Sequence, residues 1–415
     1  MKRYLLLLIG ISLVTINPRI NGWNEASRMA LTQSLVEQHS FVIDSSVFVN
    51  TGDKVFINDH FYSDKPSMPS LLAALVYWPL YKLGLNLDYG WSLCYYIIIL
   101  LTIKVFWICS VLAFRQALQY TPAKSKDYDF LSLLFAVTSL AFTWSATFNN
   151  HSLAASSLMI ALMFYLKAKN EGTLTSFIYS GMFFGMAAAM DMPTLVFLVG
   201  FFVLIFKQWK LDLKTLGFVS AASIPLGIHF AINYAIADTF VPVQIVPEFL
   251  DYAGSAWSNS SSVSGVRANS FIFSLKYGLA CLVGPRGFLW YNPLLIIILP
   301  LLVRNSRSGR HLHHENLVIL TSSVILMIYY FSFSSNYGGH SYSIRWFIPL
   351  LPLWYFQLFD IRINRSGSIF RYQHGSLIIV SLIIALVGQI NPWSNPLFHS
   401  IPFVANLLQL MTFLF

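Results

Sequence analysis

The chain has 415 residues, of which 56% are hydrophobic, 16% aromatic and only 10% charged. An average soluble protein is about one quarter charged, so this chain cannot wet the surface of a soluble globule, and it is too apolar to stay disordered. A soluble enzyme and a disordered or fibrous chain are excluded, which leaves a polytopic membrane protein. The net charge of +9, from 26 Lys and Arg against 17 Asp and Glu, then reads as basic residues gathered in cytoplasmic loops rather than as a nucleic-acid footprint. Cys94, Cys109 and Cys281 form no CxxC pair and no metal-ligand spacing.

The first element is Lys2-Arg3 followed by an apolar run over 4–14. It has the look of a signal peptide, but Asn17-Pro18-Arg19 follows instead of a small-x-small cleavage site, which predicts a retained first span with its N-terminus inside. Further apolar stretches fall near 91–113, 130–148, 152–167, 174–191, 193–207, 215–236, 288–303, 317–333, 346–360 and 375–391. Each is about long enough to cross ~30 Å of hydrocarbon as a helix, giving an all-α fold of about eleven spans, in a range of roughly ten to thirteen. The amphipathic tail 401–415 is either a further span or an interfacial helix.

With the spans alternating from an inside start, 16 basic residues fall on the inner side, among them Arg304, Arg362, Arg365 and Arg371, and 9 on the outer side. That excess fits the positive-inside rule. Inner connections are short and basic. Two outer loops are long, 17–90 and 237–287, and a shorter one covers 334–345. Long loops rich in Trp, Tyr and Pro point to function. The division this predicts is a module over 1–236 with the first outer loop as its working part, and a second module over 237–415.

The first outer loop opens with Trp23-Asn24-Glu25-Ala26-Ser27-Arg28. Asn24 is a candidate N-cap, and the pattern that follows predicts a helix lying on the membrane surface, with Glu25 in its first turn. Glu25 is then either a charge favourably placed at a helix N-terminus or a working carboxylate. Later comes Asp64-Lys65-Pro66, followed by a short apolar interfacial helix. Lys65 at headgroup depth suits a lipid phosphate, or else snorkels and pairs with Asp64.

Asn149-Asn150-His151 is a polar cluster at the outer end of two spans, a satisfied turn or a site. Gly284-Pro285-Arg286-Gly287 and Asn336-Tyr337-Gly338-Gly339-His340-Ser341-Tyr342-Ser343-Ile344-Arg345 each lead into a span. Glycines let backbone approach a ligand. Arg286 and Arg345 are either interface anchors or phosphate partners.

In this order, the motifs resemble those of the GT-C superfamily of membrane glycosyltransferases, nearest the protein O-mannosyltransferase and lipid A aminoarabinose transferase group. That group has an acidic pair after the first span, a Lys-Pro motif ending the first outer loop, and a Gly-rich, Arg-bearing loop before a late span. Here these read Asn24-Glu25, Asp64-Lys65-Pro66, and Gly338-Gly339 through Arg345. The likeness covers most of residues 1–355.

The resemblance implies a GT-C-like fold and transfer of a sugar from a polyprenyl-phosphate donor to a hydroxyl of a glycan, lipid or protein acceptor. Transfer would take place on the outer face of a bacterial plasma membrane, with inversion. It implies catalytic roles for Glu25, Asn24 or His151, and phosphate contacts from Lys65, Arg345 and Arg286. Substrate contacts would come from Asp64, Asn150, Gly338, Gly339, His340 and Tyr342. Some members use a divalent metal, for which Glu25, Asp64, His60 and His340 are the donors at hand.

Two departures stand out. Asn24 replaces the Asp of the family pair, and Asn150 or His151 replaces a second acid, so the carry-over leaves Glu25 as the matched base and His151 as its alternative. Two rival readings are a flippase for a lipid-linked sugar, which would use Lys104 or Asp191 in the spans, and an inactive homologue acting in assembly.

Overall fold

The computed structural model describes residues 2–258, 263–361 and 374–414; Arg362, Arg365 and Arg371 lie outside them. The chain begins with α1 (Lys2–Val14), α2 (Trp23–Glu37) and a hairpin of β1 (Lys54–Ile57) and β2 (His60–Ser63), then α3 (Ser67–Lys82). Next come α4 (Leu93–Ile99) and α5 (Val105–Ala117), joined by one π turn, and α6 (Tyr128–Thr138), α7 (Leu140–Trp144), α8 (Asn150–Glu171) and α9 (Leu174–Met190). The remaining helices are α10 (Leu195–Trp209), α11 (Leu213–Ala237), α12 (Pro247–Leu250), α13 (Phe271–Val283), α14 (Leu295–Asn305), α15 (His313–Phe333), α16 (Leu351–Tyr355), α17 (Gly375–Ile390) and α18 (Pro402–Leu414).

Among the described residues, five helices are long and apolar enough to cross a membrane: Leu93–Tyr120, Asn150–Glu171, Met192–Trp209, Leu213–Ala237 and His313–Phe333. Helices α9, α13, α14 and α17 are apolar but shorter. Helix α8 is the axis of the bundle, buried over most of its length. Helices α9 and α11 approach closely because Gly181 and Gly185 share one face. A Cβ at either would overlap the Phe218 or Ala222 carbonyl oxygen, at 2.1 and 2.3 Å. Small residues four apart let helix backbones touch where lipid supplies no hydrophobic drive.

Four local readings of the sequence change. The stretch 130–148 is not one helix, because Ser139 is extended between α6 and α7. The run from Arg345 to Asp360 mixes 3₁₀ and α turns around Pro349 and Pro352, which remove backbone donors. Within the outer loop 237–287, α13 exposes Phe271, Ile272, Leu275 and Leu279, so that loop ends in a lipid-compatible helix of 13 residues, below the ~20 that a span needs. Lastly, α2 is capped by Gly22 rather than Asn24, and it is not a surface helix, since Asn24 through Ser34 are all buried. Its polar positions find internal partners: Gln33 Oε1 accepts from Ser46 Oγ and Val47 N at 2.7 and 3.1 Å. By contrast, α3 exposes Leu75 and Trp78.

The hairpin turns at Asn58-Asp59, both at positive φ (50° and 65°), as a two-residue turn between twisted strands requires. Its register sets Lys54 opposite Ser63. The consequence is local and decisive: Asp53, just before β1, meets Asp64 and Lys65, just after β2.

Candidate active site

A cavity of about 1420 Å³ opens where α2, the hairpin ends, the start of α8, the α9–α10 junction and the 336–345 loop converge. Its polar wall includes Asn24, Arg28, Asp53, Asp64, Lys65, Asn150, His151, Asp191, Arg286, Gly338, Gly339, His340 and Arg345. Its apolar flank comes from α10 and α15, through Leu195, Val196, Val199, Ile325 and Tyr329, and Val199 and Ile325 are exposed there.

Four cations surround the cavity. Lys65 Nζ lies 2.8 Å from Asp53 Oδ2 and 2.7 Å from Asp64 Oδ2, so this cation is held by two carboxylates. Burial pushes the Asp64 carboxyl up, against the pull of Lys65. Arg28 is fully buried and donates only to neutral acceptors: Asn150 Oδ1 at 2.8 Å, Asn24 Oδ1 at 3.3 Å and the Pro66 carbonyl at 3.3 Å. Burial lowers its pKa to about 10, leaving it charged at neutral pH. The two amides standing where the resemblance puts acids thus orient a cation without neutralising it.

Arg345 lies with its guanidinium 4.8 Å from the Trp393 ring centroid, and its Nε and Nη1 are buried with no hydrogen-bond partner. Such orphaned donors cost about 1–3 kcal/mol each when nothing occupies them. Arg286 Nη1 donates to the Gly339 carbonyl at 2.5 Å, bracing a loop in which Tyr337, Gly338 and Gly339 all take positive φ. Gly338 has to be small, because a Cβ there would lie 3.3 Å from the Arg345 side chain.

The two acidic candidates separate. Glu25 is fully buried and does not belong to the cavity wall. Its Oε2 accepts from the backbone N–H of Asn21 and Gly22 at 2.8 and 3.1 Å, and its Oε1 accepts from Tyr95 Oη at 2.6 Å and from Thr147 Oγ1. Desolvation raises its pKa to about 7 against the pull of these donors. These contacts pin the start of α2. His151 does line the cavity, and its Nδ1 is 2.7 Å from Asp191 Oδ2.

Tyr342 is also withdrawn from the wall: it is buried, and its hydroxyl donates to the Ile384 carbonyl at 2.8 Å. His60 sits on the hairpin with its Nδ1 2.7 Å from Asp44, away from the cavity. With Glu25 behind the wall as well, the metal donors expected together do not converge. Among the described residues no group of three or more His, Cys, Asp or Glu could hold a metal ion.

Asp53, Trp393 and the pairing of Asp191 with His151 escaped the sequence reading. Asp53 has no motif, and only the Asn58-Asp59 turn could have placed it beside Lys65. Trp393 lies past residue 355, where the motifs stop.

No protein-family model matches the chain, and no curated protein sequence does. Solved structures do match. ArnT from Cupriavidus metallidurans bound to undecaprenyl phosphate aligns with a TM-score of 0.55 at 13% identity, covering 99% of this chain and 75% of that one. Its apo state gives 0.54 at 12%, covering 99% and 74%. The chain shares the fold of these structures. The Archaeoglobus fulgidus oligosaccharyltransferase tethered with an acceptor peptide aligns at 0.50 and 10% identity; the match covers 98% of this chain but 55% of that one. At these identities the likeness is one of fold, and it extends here over α17 and α18, beyond the motifs.

Proposed function

We propose that the chain is an integral-membrane glycosyltransferase that moves a sugar from a polyprenyl-phosphate donor to an acceptor hydroxyl, with inversion, in this cavity. The observation that carries the reading is Arg345, which lines a space with Arg28, Lys65 and Arg286 around it and keeps two buried nitrogens without a hydrogen-bond partner. An anion with several acceptor oxygens satisfies such donors, and a guanidinium fork matches a phosphate. The apolar flank on α10 and α15 suits a polyprenyl chain entering from lipid. As the anomeric carbon–oxygen bond breaks, charge builds on the departing phosphate, and fixed cations stabilise it most at that moment. Asn24, Asn150 and His340 line the same cavity and in this reading contact sugar or acceptor hydroxyls.

In this reading about eleven spans, some completed by the shorter helices, cross a bacterial plasma membrane. The cavity faces outside, in line with the inner excess of basic residues. A flippase reading has less support: Lys104, its strongest intramembrane cation, is absent from the cavity wall and donates to Thr15 and Ser145 at 2.9 and 2.8 Å.

The test uses purified protein in lipid nanodiscs, given a panel of hexosyl and pentosyl undecaprenyl phosphates. Release of undecaprenyl phosphate with sugar passed to an acceptor or to water is expected. Undecaprenyl phosphate binding without any turnover across the panel would favour the inactive-homologue reading.

A further inference from the structure

Resting on the transferase reading, we infer that His151, oriented by Asp191, takes the proton of the acceptor hydroxyl. Removal of other candidates leads there. Asn24 and Asn150 are amides and cannot serve as bases. Glu25 lies behind the wall with both oxygens engaged. Asp53 and Asp64 share the Lys65 ammonium at 2.8 and 2.7 Å, so each has an oxygen engaged in an ion pair.

The His151–Asp191 pair has the geometry the role needs. Both side chains are close to fully buried, at 6% and 5% exposure, and both belong to the cavity wall. His151 is in the first turn of α8, whose N-cap Asn149 accepts from Ser152 N at 2.8 Å. Asp191 is held by its own backbone at the α9–α10 junction. Its N–H donates to the Ala187 carbonyl at 2.9 Å, and its carbonyl accepts from Thr194 N at 2.9 Å.

A carboxylate 2.7 Å from Nδ1 fixes the ring as the Nδ1–H tautomer, leaving the lone pair on Nε2. The other carboxylate oxygen is 3.4 Å from Tyr330 Oη, and Tyr330 stacks on Trp346 beside Arg345. The charged groups acting on the ring are therefore Asp191, Arg28 and Arg345. Asp191 supports the imidazolium that forms, the two cations oppose it, and a donor phosphate on Arg345 offsets that opposition. His151 is the catalytic residue; Asp191 is a positioning residue.

In the transfer step the acceptor oxygen bonds to the anomeric carbon. The bond from that carbon to the phosphate oxygen breaks, and its electron pair stays on the polyprenyl phosphate. The hydroxyl proton goes to His151 Nε2, and passes to water when the product leaves. Asp191 remains ionised throughout.

The experiment measures turnover and undecaprenyl phosphate binding for wild type, His151→Ala, His151→Gln, Asp191→Asn and Glu25→Gln, with and without added imidazole. General-base loss amounts to about 10²–10⁴-fold. That drop is expected for both His151 variants, with undecaprenyl phosphate binding within about threefold as evidence of an intact fold. Imidazole should restore part of the His151→Ala rate, while Glu25→Gln should turn over within about threefold of wild type with or without it. Asp191→Asn should lower kcat about tenfold or more with KM little changed. Wild-type turnover in either His151 variant, or a loss that imidazole does not rescue while Glu25→Gln is equally inactive, overturns the inference. Failure of wild type to transfer any sugar is a different result: it sinks the transferase reading itself.

Discussion

The start of α2 and the start of α8 are built from the same materials and put to opposite uses. Each brings an ionisable side chain to the first turn of a buried helix at the cavity end of the molecule. At α2, Glu25 spends both oxygens on four donors from Asn21, Gly22, Tyr95 and Thr147, and the group is sealed from the cavity. At α8, His151 spends one ring nitrogen on Asp191 and remains in the cavity wall. A titratable group at the sequence position a family pattern favours is thus not enough. What separates structure from chemistry is whether hydrogen-bonding capacity is left over and where it points.

The largest expected effect breaks the α2 side. Glu25→Ala leaves the Tyr95 and Thr147 hydroxyls buried without their acceptor and takes the acceptor from two part-buried backbone N–H groups. At about 1–3 kcal/mol for an orphaned buried group, partly relieved by relaxation, the loss should reach ~3–5 kcal/mol. Thermal unfolding in detergent should show it as a Tm lower by many degrees, with folded protein still binding donor.

Next comes the cation that is left free. Arg345→Ala removes a charge-assisted contact of roughly 1.5–3 kcal/mol, so undecaprenyl phosphate should bind ten- to a hundredfold more weakly at unchanged Tm. Lys65→Ala should cost about tenfold in donor use. It also leaves Asp53 and Asp64 facing each other, so Lys65→Met with Asp53→Asn is the cleaner comparison. An unchanged donor Kd in both Lys65 variants would make that residue an anchor only.

A smaller effect sharpens the comparison through pH. Burial pushes the Glu25 carboxyl up to about 7 from its ordinary 4.5, so between these pH values the folded state holds a proton that the unfolded chain has released. Stability from this group is therefore full below about pH 4.5 and is lost as pH rises through 7. Wild type should lose more Tm than Glu25→Gln between pH 5 and 8. Parallel pH curves for the two proteins would contradict this. The smallest expected change is in turnover of Glu25→Gln, within about threefold of wild type at pH 7.

Much of this was legible in the chain. Composition alone placed it in a membrane, and Asn24, Lys65, Asn150, His151, Gly338 and Arg345 all reach the cavity wall. What escaped is long-range and geometric. The pairing of His151 with Asp191 spans 40 residues and leaves no periodicity behind. Asp53 depends on a hairpin register, and α13 is too short for a window tuned to whole spans. The burial of α2 depends on partners such as Ser46 and Tyr95 that no local pattern names.

The central claim is that the cavity receives a lipid phosphate on Arg345 and releases it after sugar transfer. The most direct measurement is single-turnover transfer from radiolabelled glycosyl undecaprenyl phosphate in nanodiscs, comparing wild type with Arg345→Ala at saturating and limiting donor. The account predicts sugar transfer by wild type, and a loss of at least tenfold in the variant that is steepest at limiting donor. Equal transfer by both proteins, at every donor concentration, would contradict it.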